Sequence, residues 1–248
     1  MPKFRGISAE EDKPKPFLDH LEDLRNTIIR CALVLGISFA TTFPFTPKIL
    51  KILMLPLKAI TDQPERFLQS LDVTGAFTVA VQIAFWSALI LASPFLIIFI
   101  FQFILPGLKR AERRVISLVS IPAFFLFVAG VLMCYYMTLP VALNFMFKVH
   151  AWLGINMFWT ITSYIAFTTH MLIGFGLAFQ LPALLLVLGY LGVLSSDFLR
   201  SKRRHAIVLI LIMSMILTPP DVFSMIIMAI PLLLFYEGCV WLVKMAER

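Results

Sequence analysis

The sequence predicts an all-α polytopic membrane protein with six transmembrane helices. Three observations carry that reading. Of 248 residues, 60% are hydrophobic and only 14% charged, and a soluble domain of that composition lacks the polar surface to cover its core. Several apolar runs approach or exceed the roughly 20 residues that cross a bilayer. Those runs are continuous, unlike the short alternating segments of a β-barrel.

The whole chain, 1–248, reads as one integral membrane domain. Residues 1–27 form a hydrophilic N-terminus and an interfacial helix, 28–243 the six-span region and 244–248 a tail. No small-residue cleavage site follows the first apolar run, so that run is expected to act as an uncleaved anchor. The stretch "PFLDHLEDLR" opens it. On a helical projection Leu18, Leu21, Leu24, Ile28 and Ile29 share one face, and Asp19, Asp23, Asn26 and Arg30 the opposite one. Asp19 and Glu22 have the spacing of a capping box after Pro16. Asp23, a turn further in on the polar face, has no such local explanation.

The expected spans are roughly 28–46, 74–104, 115–138, 162–189, 205–218 and 222–243. Pro94, Pro122, Pro182 and Pro231 lie inside four of them. Each removes a backbone donor and favours a bend, which predicts a curved, concave arrangement. The connection 46–73 holds Pro47, Pro56 and Pro64 and is expected to be a packed cap of short interfacial helices. Trp152, Phe158 and Trp159 suit an aromatic belt in 139–161. The last two spans are short. Ala206–Leu217 has twelve residues before "TPPD", about 18 Å of helix against a hydrocarbon core of about 30 Å. It is either a re-entrant hairpin or one of two short spans beside a thinned bilayer; the topology count prefers the spans.

Charge sets the orientation. With a cytoplasmic N-terminus, sixteen Lys and Arg lie inside and five outside. Both termini are therefore expected in the cytoplasm.

Catalytic signatures are missing. There is no phosphate-binding glycine loop, HExxH or GxSxG, and no enzyme activity is expected. Cys31, Cys134 and Cys239 show neither a pairing pattern nor metal spacing, and four scattered histidines add none, so no cofactor is expected. Nor is a nucleic-acid partner. Polar groups inside the spans are Gln82, Gln102, His170, Gln180 and Glu237. Buried ionisable groups in a membrane mark function by default, although Glu237 lies near the inner end of its span beside Trp241 and Lys244, where snorkelling explains it. A small-solute secondary transporter or channel is the alternative reading. It needs a midplane site of ionisable groups that these residues barely supply, and no internal repeat supports it. The loop "LPGLKRAERR" (105–114) sets one acid, Glu112, among Lys109, Arg110, Arg113 and Arg114. Sorting explains the bases and leaves the acid over.

Several motifs in order give the chain a resemblance to the TatC family, the polytopic subunit of twin-arginine protein translocases. "HLEDLR" (20–25) resembles that family's HLxELR, with Asp23 in place of its glutamate. Pro94 through "FILPGLKRAERR" (103–114) resembles its second span and first cytoplasmic loop, with Phe103, Pro106 and Glu112 at matching positions. "FQLP" (179–182) is similar to its FELP. "LTPPDVFS" (217–224), which contains Asp221, and "IPLLLFYE" (230–237) resemble its last hairpin. Pro56 stands where the family has a proline in its first periplasmic loop.

The resemblance implies a receptor in the bacterial inner membrane. Such proteins bind twin-arginine signal peptides of folded cargo at the cytoplasmic face. They assemble with single-span TatB-type and TatA-type partners and with copies of themselves, and transport draws on the proton-motive force. It implies a signal-peptide site of Asp23, Glu112, Phe103, Arg113 and Arg114, and intramembrane or partner contacts at Gln180, Asp221 and Pro56. Three residues depart from the pattern. Asp23 is one methylene shorter than the family's glutamate, Ile98–Phe99 replaces an aromatic–glutamine pair, and Gln180 replaces a glutamate and takes up no proton.

Overall fold

The computed structural model describes residues 17–61, 64–104, 110–155, 159–190, 192–218 and 221–246, with the backbone alone at 17–20, 65–66, 104, 110–119, 190 and 246. Helix α1 (Phe17–Thr42) runs unbroken from the charged opening stretch into the apolar run. A 3-10 turn (Phe43–Phe45), α2 (Thr46–Met54), a second 3-10 turn (Leu55–Ala59) and α3 (Pro64–Phe67) make the cap of short helices that the prolines predicted. Helix α4 (Gly75–Ile104) follows. Helix α5 (Arg110–Met133) passes through a π-helical turn (Cys134–Thr138) into α6 (Leu139–Leu153). Helices α7 (Ile161–Ala178) and α8 (Gln180–Tyr190) are separated by Phe179 alone. Helices α9 (Ser196–Ser201) and α10 (Arg203–Leu217) lead to α11 (Val222–Ala246). One pairing lies outside the helical scheme: Leu68–Gln69 runs parallel to Trp159–Thr160 and ties the first long connection to the third.

Among the described residues, five helical stretches are long and apolar enough to cross a membrane: Leu21–Ala59, Gly75–Phe103, Ser120–Leu153, Ile161–Gly189 and Val222–Met245. The sixth expected span is α10. Its 15 residues rise about 22 Å, less than a hydrocarbon core of about 30 Å.

The third stretch overshoots the expected 115–138. Pro140 brings no N–H, and its ring crowds the carbonyl four residues back. The helix widens by one residue and continues: Leu139 N–H bonds to Cys134 O, five residues earlier. Ser120–Leu153 is 34 residues long, about 51 Å of rise, so its end stands beyond the hydrocarbon.

Helix α7 is the hub and packs against α4, α5 and α10. Tyr164, Ile165, Met171, Leu172, Ile173 and Phe175 are all buried in it. Small residues let its neighbours in. A Cβ on Gly176 would lie 2.6 Å from the Phe127 ring of α5, and one on Gly189 of α8 would lie 2.3 Å from Val243 of α11. Helix α1 is the opposite case. It lies along α4, with Ile28, Leu33 and Ile37 exposed.

Two tyrosines lock the cap onto this frame. Pro56 is buried and offers no N–H to the Ile52 carbonyl. That carbonyl accepts the tighter turn bond from Leu55 N–H and a 2.6 Å hydrogen bond from Tyr135 Oη in the π turn. Tyr164 Oη of α7 donates to the neighbouring Leu53 O, also at 2.6 Å. Tyr164→Phe is expected to lower stability by about 1–1.5 kcal/mol, and Tyr135→Phe, at an exposed bond, by about 0.5. Thermal melting of the detergent-solubilised chain measures both; unchanged melting of the Tyr164 variant would refute the lock.

Candidate functional site

The residues singled out in the sequence fall in three places: one end of the helices, their middle and the opposite end. The first end is placed from one contact. Thr42 Oγ1 lies within hydrogen-bond reach of Ala84 O of α4 at 3.0 Å, as it does of Ser38 O at 2.9 Å and Phe39 O at 3.2 Å in its own helix, and this marks where α1 meets its antiparallel neighbour. Asp23 lies nineteen residues before Thr42, and Phe103 nineteen after Ala84. Both helices rise about 1.5 Å per residue, so Asp23 and Phe103 stand level, about 28 Å from that contact. That distance is about one hydrocarbon thickness.

Asp23 is half-buried, and its backbone carbonyl accepts Thr27 Oγ1–H at 2.8 Å. Glu22 instead faces solvent and pairs loosely with Arg25 at 3.8 Å. The capping-box spacing of Asp19 and Glu22 does not mark the start of the helix, which already begins at Phe17. Helix α5 starts at this same end, antiparallel to α4. Glu112, Arg113 and Arg114 lie in its first turn. Their side chains, that of Asp19 and all of Pro16 and Pro106 lie outside the described residues.

The far flank of this end is closed by a contact between the last two helices. Arg203 Nη2 donates to Glu237 Oε2 at 2.6 Å, and Tyr236 Oη donates to Leu199 O at 2.8 Å. Glu237 is therefore an ion-pair partner. Its place near Trp241 and Lys244 was legible in the sequence; its partner was not.

Gln180 stands in the middle, at the junction of α7 and α8. Its Nε2 donates to Ala123 O of α5 at 3.0 Å. That acceptor fixes the amide orientation, because the reversed amide would set two oxygens together. The other atom, Oε1, is buried and has no partner. An unmet buried acceptor costs about 1–3 kcal/mol.

Pro56 and Asp221 belong to the opposite end. Pro56 terminates α2, as described. Asp221 is 4% exposed and precedes α11; its Oδ1 accepts Ser224 N–H at 2.6 Å. This is an N-cap, with the carboxylate at the positive end of the helix. Its Oδ2, Ser224 Oγ and Ser214 Oγ are buried without partners. Nearby, α6, α7 and the end of α10 line an open pocket of about 870 Å³. His150 and His170 both line it, with Trp159, Ser163, Tyr164 and Thr218. His150 Nδ1 lies 2.8 Å from Met146 O. Among the described residues no group of three or more metal-ligating side chains gathers there or elsewhere.

Asp221→Ala is expected to cost about 1 kcal/mol of stability, and Asp221→Asn much less, because asparagine also caps. Thermal melting in detergent distinguishes them; equal losses would exclude the capping role.

The geometry agrees with comparisons to known proteins. The family model described as "TatC: Sec-independent protein translocase protein (TatC)" matches residues 19–231. A Sec-independent protein translocase protein TatC from Carboxydothermus hydrogenoformans is 35% identical over 94% of this chain and 95% of its own length. The chloroplastic protein TATC of Pisum sativum is 34% identical, over 96% of this chain and 66% of that protein. A crystal structure described as the twin arginine translocase receptor TatC superimposes with a TM-score of 0.76 at 32% identity, covering 92% of this chain and 100% of the other.

Proposed function

The chain belongs to the TatC family of Sec-independent protein translocase proteins, and from that premise we propose that it is the receptor that binds twin-arginine signal peptides. It is a multi-span helical membrane protein and a component of a protein translocase. The observation that carries the finer reading is the level placement of Asp23 and Phe103 at the end where α5 and Glu112 begin.

In this reading six spans cross the bacterial inner membrane with both termini cytoplasmic. The short α10 crosses beside a thinned bilayer, and proline-bent helices line a concave wall for the signal's apolar segment. Asp23 and Glu112 each accept one arginine of the pair. A guanidinium meets a carboxylate through two parallel N–H···O bonds, which an ammonium does not reproduce. Phe103 shapes the floor of the site, and Arg113 and Arg114 steer Glu112 within α5's first turn. Arginines bound here would sit at the headgroup level and direct the following apolar segment along the helices toward Gln180.

Gln180 Oε1 then takes a hydrogen bond from a polar group on the signal or on a single-span partner helix. Asp221 and Pro56 shape contacts for partners at the opposite end, through the turn and cap that they hold. TatB-type and TatA-type subunits and further copies of the chain are the partners, and the proton-motive force drives transport. No proton passes through Gln180, which carries none. The alternative of a small-solute transporter or channel gains nothing from the family or from the midplane, where Gln180 is neutral.

Peptide binding to the chain in nanodiscs tests the assignment. An Arg-Arg signal peptide is expected to bind about tenfold or more tightly than its Lys-Lys counterpart, and Glu112→Ala and Asp23→Ala each to lose about tenfold for the Arg-Arg peptide. Equal affinity for the two peptides, or no loss with Glu112→Ala, would overturn the arginine docking.

A further inference from the structure

The corner between α9 and α10 carries a charge arrangement that the receptor reading does not use. Arg200, Lys202, Arg203 and Arg204 are all exposed within five positions. Glu237 engages Arg203. Asp197, exposed in the first turn of α9, is the one acid on α9 and α10. Among the described residues Arg200, Lys202 and Arg204 form no ion pair. Three of the cations also sit at the start of a 15-residue helix, where the backbone dipole is itself positive and repels them. A counter-charge would relieve both.

Apolar surface begins where the cations stop. Ile207, Val208, Leu209, Ile212, Met215 and Ile216 are exposed along α10. A ligand that neutralised the corner and covered this face would be anionic at one end and apolar along about 15 Å beyond it. Membrane depth agrees. Trp241, one turn past Glu237 on α11, is 64% exposed at this level, as tryptophans are at the headgroup boundary. Helix α10 is also about 8 Å shorter than the hydrocarbon core, so the bilayer thins against it and brings headgroups to the cations.

We propose that the α9–α10 corner binds the headgroup of an anionic phospholipid, whose acyl chains lie along α10. The phosphate sits among Arg200, Lys202 and Arg204, while Arg203 stays with Glu237 and holds the corner to α11. A twin-arginine peptide is cationic and is repelled here, so this surface is separate from the proposed signal site. The proposal rests on the membrane-spanning disposition and not on signal recognition.

Native mass spectrometry of the full chain, titrated with phosphatidylglycerol or phosphatidylcholine in detergent, tests it. The chain is expected to retain phosphatidylglycerol with about fivefold or greater preference. The variant Arg200→Gln/Lys202→Gln/Arg204→Gln should lose that preference, while the charge-matched Lys48→Gln/Lys51→Gln/Lys58→Gln at the opposite end keeps it. Absence of preference in the unaltered chain, its survival in the first variant or its equal loss in both would overturn the proposal. Thermal melting reports folding. If the triple variant does not fold, Lys202→Gln and Arg204→Gln must each weaken the preference, and an unchanged ratio in both overturns it.

Discussion

The close approach of α7 and α8 to their neighbours is the constraint on which the rest of this structure depends. In a bilayer the lipid tails are as apolar as the helices, so burial alone gives helices little reason to associate; packing and hydrogen bonds must do it. At Gly176 a methyl group would enter the Phe127 ring, and at Gly189 it would enter Val243. Those two contacts set α7 and α8 between α5 and α11. The Gln180 side chain reaches Ala123 because the α5 side of this interface is so close. Cys239 Sγ of α11 lies 3.4 Å from Pro182 O of α8 because the α11 side is close too. A larger residue at either glycine would move the middle and both ends together.

Backbone groups released by proline are the second organising feature. Water is absent from the bilayer core, so a carbonyl that loses its helical donor needs another partner. Different places solve this differently. At Pro140 the helix widens into a π turn and keeps its bonds in a longer register. At Pro56 a 3-10 bond and a tyrosine from that π turn share the Ile52 carbonyl. At Pro182 the preceding helix ends at Ala178 and a new one starts at Gln180. The first two are coupled: the extra residue at Pro140 belongs to the turn that presents Tyr135 to the cap. Prolines far apart in sequence thus meet in one joint between the cap and the third spanning stretch.

Much of this was legible from residue order, and the failures have physical causes. Span positions follow from hydropathy because each helix satisfies its own backbone within one segment. The third helix runs on past the expected span 115–138 as far as Leu153. The π turn, a tertiary accommodation, carries the helix on to Leu153. The tyrosine locks were invisible because their partners lie 83 and 111 residues away and a carbonyl has no signature in sequence. Asp221 was singled out through family resemblance, although its own neighbourhood, three residues before Ser224, spells a helix cap. Capping-box spacing misplaced the start of the first helix at Asp19, because the helix begins two residues earlier, at Phe17. Helical angles say nothing of level, and the level of Asp23 with Phe103 needed the Thr42–Ala84 contact.

That contact also constrains how recognition at one end relates to the middle. Asp23 and Phe103 stand about 28 Å from it, on two neighbouring helices of which α1 is largely exposed. Asp23 is half-buried at that level, and it is a carboxylate that the proposed arginine docking uses. A carboxylate at Gln180 would face a different environment. The Ala123 carbonyl, an acceptor, would repel its negative oxygen and favour a protonated acid. Glutamine supplies the N–H that this carbonyl takes and leaves one neutral acceptor facing inward, at a modest cost that does not vary with pH. The chain therefore separates its polar tasks by depth. The residues that the proposal assigns to arginine docking lie at one end of the helices, and the middle holds a neutral hydrogen-bonding group.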